Sequence, residues 1–506
     1  MVQIGGNTVA LLGIDVGTTA SKAIVFSDEG KQLGYAYREY PPFENTYETN
    51  GNLLWENMCE VIADAVRQAG ERAKEIKALA ISSFGESFVP IDKDGNVLMN
   101  TALYMSSCGT EQSRWLETHI GNDRIMKVTG AKIHPMYSLP KMMNIKEEHP
   151  DIYRKVYKFL PISSFCSYKL CGECKADYSL AARTMAFDVV NKCWDIELLQ
   201  LSGMDTDKLP QPIPTGEKVG IVLPEVARFL GLPQGVIVAA GGHDQVCAAI
   251  GAGVLSTDVA IDGTGTVECI TSVFDKPQLE ESFLNNNFVC VPYPVKGMYT
   301  TYAFNFTGGA ILKWYKDTLG RYEQQVAKEQ EISVYRYLDM QGAKEPTGII
   351  VIPLFSGSAT PDMNEHAKGA FLGITMDTDA PMLYRALIEG VTYEMMYNLE
   401  KLEEFGISMS VLRAVGGGSK SPYWLQMKAD ILGKAIIPLD LDEAGIAGTA
   451  MLSGVCCGVY QSLEEAEKLF VKKKQPYEPN MELHQAYLKH YQRFKMVRQM
   501  IADVFR

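Results

Sequence analysis

The sequence predicts an α/β protein of two domains with a cleft between them. Three observations point there. The chain has 506 residues, room for two to four domains at roughly 150 residues each. Short apolar runs of strand length alternate with longer segments of helical spacing throughout, which is the α/β pattern. One local pattern, an apolar strand, an Asp, a Gly/Thr-rich turn and a second strand, stands near the N-terminus and again near residue 258. Such self-similarity suggests two domains of related fold.

In order along the chain, residues 9–14 (VALLGI) read as a buried strand, 15–19 as a polar turn and 22–27 (KAIVFS) as a second strand. The segments DEG at 28–30 and DKDG at 92–95 read as hairpin-like turns. Residues 53–75 carry apolar positions at helical spacing, and 77–82 (KALAIS) is a short strand. The pattern resumes with a strand at 236–242 entering a Gly turn, a helix at 244–253, a strand at 258–262, a tight turn at 263–266 and a strand at 267–274. A long amphipathic helix over 379–405, a strand at 411–415, a Gly-rich turn at 416–421 and a helix at 422–433 follow. Further helices are expected over 444–455 and 481–505. No low-complexity linker separates the halves. The boundary is placed near 245–257, giving domains over 1–248 and 249–506.

Hydrophobic residues make up 46% of the chain and charged residues 22%, which excludes a disordered or collagen-like protein. Acidic residues outnumber basic ones 61 to 48, for a net charge of −13. That argues against nucleic acid and an anionic membrane surface as partners, but not against phosphate held by backbone amides and Mg²⁺. No run of 18 apolar residues is present, so no membrane span is expected. The N-terminus lacks a basic n-region and a cleavage site, and the 11 Cys are an odd number. Both features fit reduced thiols and a cytoplasmic protein. Cys171-Gly-Glu-Cys174 reads as a hairpin turn with no second CxxC to complete a zinc site, and Cys456-Cys457 as core residues.

Four motifs carry candidate chemistry. In Asp15-Val-Gly-Thr-Thr19 the Gly allows close backbone approach, Thr hydroxyls and successive N–H groups suit phosphate oxygens, and Asp15 suits Mg²⁺; a plain polar hairpin turn is the alternative. Asp262-Gly-Thr-Gly-Thr266 repeats that chemistry at another strand end. In Gly241-Gly-His-Asp-Gln245, Asp244 could act as a general base or as a helix N-cap, and His243 as a packed loop histidine. Gly416-Gly-Gly-Ser-Lys-Ser421 could lay adenine or ribose against bare backbone, or simply start a helix capped by Ser419 or Ser421. No GxxxxGK[ST], GxGxxG or HExxH is present, so P-loop, Rossmann and zinc-protease readings are set aside.

Taken together, seven segments over roughly 8–480 resemble the FGGY family of carbohydrate kinases, within the actin/Hsp70/sugar-kinase superfamily. They are GIDVGTTASKAIVF (13–26), GGHDQVCAAIGAG (241–253), TGGAILKW (307–314), PLFSGSATPDMNEHAKGAFLGIT (353–375), LIEGVTYEM (387–395), AVGGGSKSPYWLQMKADILG (414–433) and EAGIAGTAMLSG (443–454). The resemblance implies two ribonuclease H-like domains of the actin-like ATPase kind, with ATP and Mg²⁺ held between them. It implies phosphorylation of a hydroxyl on a ketose such as xylulose, a polyol or a sugar acid. Mapped onto matching positions, Asp244 would be the base and Asp15 would hold the metal. Thr18, Thr19, Thr264, Gly265 and Gly309 would line the phosphates. Gly417, Gly418 and Ser421 would face adenosine, and Glu86, Tyr104 and Gln245 would contact the substrate.

Two stretches depart from the family pattern. Xylulose-kinase members usually carry Met-His where this chain has Gly85-Glu86, and Tyr104-Met-Ser-Ser-Cys108 replaces Trp-Asn-Asp-x-Arg. The missing Arg weakens the expectation of an anionic substrate, and Glu86 and Gln245 would suit neutral hydroxyls. Competing readings are a non-sugar ATPase of the same superfamily, a regulator, and a degenerate kinase that binds without turnover. The helix at 481–505 could form a homodimer surface or close the core.

Overall fold

The computed structural model describes residues 8–41 and 47–505. The chain opens with an antiparallel meander, β1 (Ala10–Val16), β2 (Ala20–Ser27) and β3 (Gln32–Glu39). β1 is apolar over nearly its whole length because both its faces are covered. Helix α1 (Gly51–Ala69) starts where the Asn50 side chain accepts from the Asn52 and Leu53 amides, and it lays Leu54, Met58, Ile62 and Ala65 against the sheet. The helical spacing read through to residue 75 ends in a tight 3-10 turn over Gly70–Glu75. Strand β4 (Ile76–Ser83) follows, parallel to β1. After a mostly helical stretch come the short helix α2 (Tyr178–Ala182), β5 (Lys218–Ile221), β6 (Ile237–His243) and α3 (Asp244–Gly251). The first sheet runs β5-β6-β4-β1-β2-β3.

The second half repeats this plan with β7 (Val259–Thr264), β8 (Glu268–Phe274), β9 (Val291–Pro292), β10 (Tyr299–Asn305), helix α4 (Ala310–Thr318), helix α5 (Ala380–Glu403), β11 (Val411–Val415), α6 (Pro422–Leu432) and β12 (Ala435–Pro438). The second sheet runs β9-β10-β8-β7-β11-β12. In each half a three-stranded antiparallel meander is extended on its first strand by two parallel strands. The expected pair of ribonuclease H-like domains is therefore present.

The C-terminal half does not keep to its own sheet. Helix α7 (Ala444–Cys456) crosses back to pack on β1, β4 and β6 and against α3. The crossing is close: a Cβ on Gly251 would lie 1.8 Å from the Ala444 carbonyl oxygen, and one on Gly448 1.9 Å from that of Cys247. The resulting core joins Leu11 and Ile24 of the first sheet to Ile261 and Val273 of the second through Val246, Ile250, Ile446 and Ala450. The long helix α8 (Met481–Val504) buries Tyr487, Tyr491 and Phe494 against the second domain.

Three local expectations change. Asp15 lies inside β1, paired with Lys22, rather than in the turn. Gly263 and Thr264 belong to β7, so the turn there is only residues 265–267. Cys171 ends a helix over Ile162–Cys171, Gly172 caps it with φ 79°, and a strand over Lys175–Asp177 follows. The CxxC is thus a helix-to-strand turn, not a hairpin. No helix among the described residues is long and apolar enough to cross a membrane.

Candidate active site

The site begins at the ends of β1, β4 and β6, where three neighbouring sheet strands and the N-terminus of α3 converge. Asp15 accepts a hydrogen bond from Ser82 Oγ of β4 at 2.7 Å. Burial holds its carboxyl above the usual range, against the pull of Ser82 and Lys22. The turn beyond it closes through Gly17 N–H to Ala20 O at 2.9 Å and leaves Thr18 half-buried and Thr19 exposed. Lys22 Nζ reaches both carboxylate oxygens of Glu443, at 2.7 and 2.8 Å. The first loop is thereby tied to the segment that enters α7.

Asp244 is the first residue of α3, so β6 aims it and the helix N-terminus favours its charge. Its Oδ1 accepts from the Gln245 amide at 2.6 Å. The turn before it is braced from α2: Ser179 Oγ accepts from the His243 amide at 2.9 Å and donates to Asp177 Oδ1. The Asp244 side chain keeps 41% of its surface accessible, toward the cleft. Burial on its other sides, with Asp15 and Glu86 adding negative charge, pushes its pKa up to about 7. Asp244 is not the helix N-cap: that position is His243, and Asp244 is the first helical residue.

The expected substrate residues gather beside it. Glu86 takes a left-handed backbone, φ 62°, and its carboxylate is held by Arg183, with Nε 2.5 Å from Oε1. Burial is the largest influence on the Glu86 carboxyl and acts to raise it, but Arg183, His243 and Lys141 together outweigh it and the group ends below its ordinary value. Tyr104 is 40% exposed; burial of the rest of the ring raises its hydroxyl, and the Glu86 and Asp244 charges add to that. Gln245 is half-buried on the first turn of α3. The 104–108 stretch lacks its Arg, yet Arg183 supplies a buried guanidinium here, 5.0 Å from the Tyr137 ring centre and 5.7 Å from that of Tyr302. Arg183, Tyr137 and Tyr302 escaped the sequence reading because no local pattern marks them; Arg183 lies 97 positions from its partner.

Across the cleft, the turn after β7 exposes Gly265, Thr266 and Val267. Gly309 N–H donates to Gly265 O at 2.7 Å and begins α4. Gly416 and Gly417 face a cavity of about 720 Å³, which Pro422, Leu425, Leu439, Tyr477 and Glu443 also line. That volume is ordinary for a small-molecule site. Gly418 instead packs on Thr264, whose Cγ2 would stand 2.6 Å from an added Cβ. Two expected nucleotide contacts have their hydroxyls engaged elsewhere. Thr264 Oγ1 donates to Asp262 Oδ1 at 3.1 Å and accepts from Lys428 Nζ at 2.7 Å, inside a buried cluster with Glu268. Ser421 Oγ caps α6 by accepting from Trp424 N at 3.0 Å and donates to Asp339 at 2.6 Å. The Ser421 backbone is engaged as well, its N–H on Gly418 O at 3.2 Å and its carbonyl accepting from Leu425 N–H at 3.0 Å.

The donor set suits Mg²⁺ better than a closed metal cage. Among the described residues no three His, Cys, Asp or Glu side chains cluster as metal ligands. Asp15 brings one hard oxygen donor to a cleft where its charge raises Asp244. One or two carboxylates, with phosphate and water making up the rest, is the usual protein share around Mg²⁺.

Known proteins resemble this chain over nearly its whole length. The family model described as "FGGY family of carbohydrate kinases, N-terminal domain" matches residues 10–251, and its C-terminal counterpart matches 263–457. A xylulose kinase of Bacillus subtilis (strain 168) is 28% identical over 483 residues, 94% of each chain. An autoinducer-2 kinase of Escherichia coli (strain K12) is 27% identical over 492 residues, 94% of this chain and 92% of that one. Among solved structures, gluconate kinase from Lactobacillus acidophilus superposes with a TM-score of 0.89 at 22% identity, covering 98% of this chain and 99% of that one. Plasmodium falciparum glycerol kinase with ADP does so at 0.85 and 19%, covering 97% and 98%.

Proposed function

This chain belongs to the FGGY family of carbohydrate kinases, phosphotransferases with an alcohol group as acceptor, and from that premise we propose that it transfers the γ-phosphoryl group of ATP to a hydroxyl of a small ketose, polyol or sugar acid, with Asp244 as the general base. The observation that carries this reading is Asp244 itself, a carboxylate at a helix N-terminus in the cleft with its pKa raised to about 7. A base poised near the working pH is the efficient choice.

Phosphoryl transfer passes through a loose transition state, so the protein contributes mainly positioning and neutralisation of charge. Asp244 Oδ2 takes the proton of the acceptor hydroxyl as that oxygen bonds to the γ-phosphorus. The bond from that phosphorus to the β,γ-bridging oxygen breaks and ADP leaves. Glu86, its partner Arg183, Tyr104 and Gln245 would hold the other hydroxyls. Thr18, Thr19, Gly265 and Gly309 would line the phosphates, and Gly416 and Gly417 would face adenosine. Mg²⁺, held by Asp15, would screen the phosphate charge. We read the halves 1–248 and 249–506 as the sugar and nucleotide sides.

The test separates binding from turnover. Asp244→Ala should bind ATP as the parent does, by calorimetry, and lose about 10²–10⁴-fold in kcat. Undiminished turnover in that variant would end the assignment.

A further inference from the structure

Next to Asp244 stands a side chain that the mechanism above does not use. His243 closes β6 and is 7% exposed. Its Nδ1 is buried without a hydrogen-bond partner and lies 3.4 Å from Asp244 Oδ1. Buried polar atoms are rarely left unpaired, because an unmade hydrogen bond forfeits the solvation given up on burial.

The ring has little freedom to turn away. Its own amide is fixed on Ser179 Oγ at 2.9 Å, and its ring centre lies 5.4 Å from that of Tyr302, the two rings tilted by 37°. On the third side is Gly85, where a Cβ would stand 2.7 Å from His243 Cδ2. The unusual glycine before Glu86 is therefore the space that this ring occupies. Burial pushes the His243 pKa down to about 4, Arg183 acting in the same sense and Glu86 against it. At neutral pH the imidazole is uncharged, with its hydrogen on one nitrogen. Against a carboxylate that nitrogen is Nδ1, because a lone pair there would be repelled.

We propose that His243 is a positioning residue for the base: when acceptor and ATP fill the cleft, its Nδ1–H donates to Asp244 Oδ1 beside the Gln245 amide, leaving Oδ2 alone to face the reacting hydroxyl. Forming the bond takes a shortening of about half an ångström together with a realignment of the Nδ1–H onto Oδ1. Two donors on one oxygen fix the rotation of the carboxylate, a freedom that a single amide contact leaves open. The inference rests on Asp244 being the base.

The test compares three variants in the full-length protein: His243→Asn, whose amide nitrogen falls near Nδ1; His243→Gln, whose amide falls near Nε2; and His243→Phe, which has no donor. Each is assayed with ATP, Mg²⁺ and whichever sugar gives the strongest ADP release in a panel of ketopentoses, ketohexoses, polyols and sugar acids. The Asn variant should keep most of kcat. The Gln and Phe variants should lose roughly 10- to 100-fold in kcat, the range for a misplaced catalytic group, with KM for the sugar changed by less than about 3-fold. Equal kcat for Asn and Gln would overturn the proposal, and that comparison stands even if the Phe variant fails to fold. Asp244→Ala, run alongside, separates the two failures. If it is inactive while His243→Gln is fully active, only the positioning role falls. If it is active, the base assignment falls too.

Discussion

Asp15, Glu86 and Asp244 are three carboxylates around one cleft, and their surroundings push them apart. Arg183 holds Glu86 below its ordinary value, whereas burial and the other two acids lift Asp244 to about 7. A base must be deprotonated to act, so kcat/KM for the sugar should rise with pH through about 7 and level off above it. A limb below about pH 5, where an unperturbed Asp titrates, would contradict this environment. Beneath the 416–418 turn, Lys428 Nζ sits 2.5 Å from Asp262 Oδ2 and 2.6 Å from Glu268 Oε1. Lys428→Met would leave two buried carboxylates without their cation and should cost about 3–5 kcal/mol in urea unfolding. A cost under about 1 kcal/mol would show the pairing to be dispensable. At this scale Asp15, Asp244 and Glu86 were legible because each lies in a recognisable local stretch. Lys428 and Arg183 were not, since they meet their partners 166 and 97 positions away, and a single sequence carries no sign of such pairings.

Most strands and helices were legible for a simple reason. Apolar runs at 10–16 and 76–83 lie side by side within the first sheet and are buried on both faces. What the pattern could not say is where a helix packs. Helix α7 is apolar on all sides, which announces burial but not that it returns to the first sheet. Its crossing with α3 depends on bare backbone at Gly448. Gly448→Val should force the two helices apart and destabilise the protein by about 3 kcal/mol or more. Thermal unfolding within about 2 °C of the parent would refute so tight a crossing.

The whole molecule places the 416–418 turn and its cavity on one domain and Asp15, Glu86 and Asp244 on the other. Lys22 and Glu443 already bridge the two sides. Sites shared in this way commonly close over their ligands and exclude water. Small-angle scattering should therefore show a smaller radius of gyration with a non-hydrolysable ATP analogue and sugar together than with neither; an unchanged radius would argue for a rigid cleft. The central claim is the chemistry in that cleft, and ADP release tests it most directly. Purified protein with ATP and Mg²⁺ should release ADP in response to a member of the ketose, polyol and sugar-acid panel, and Asp244→Ala should abolish the response while still binding ATP. No stimulation by any member, or equal stimulation in the Asp244→Ala variant, would contradict the account.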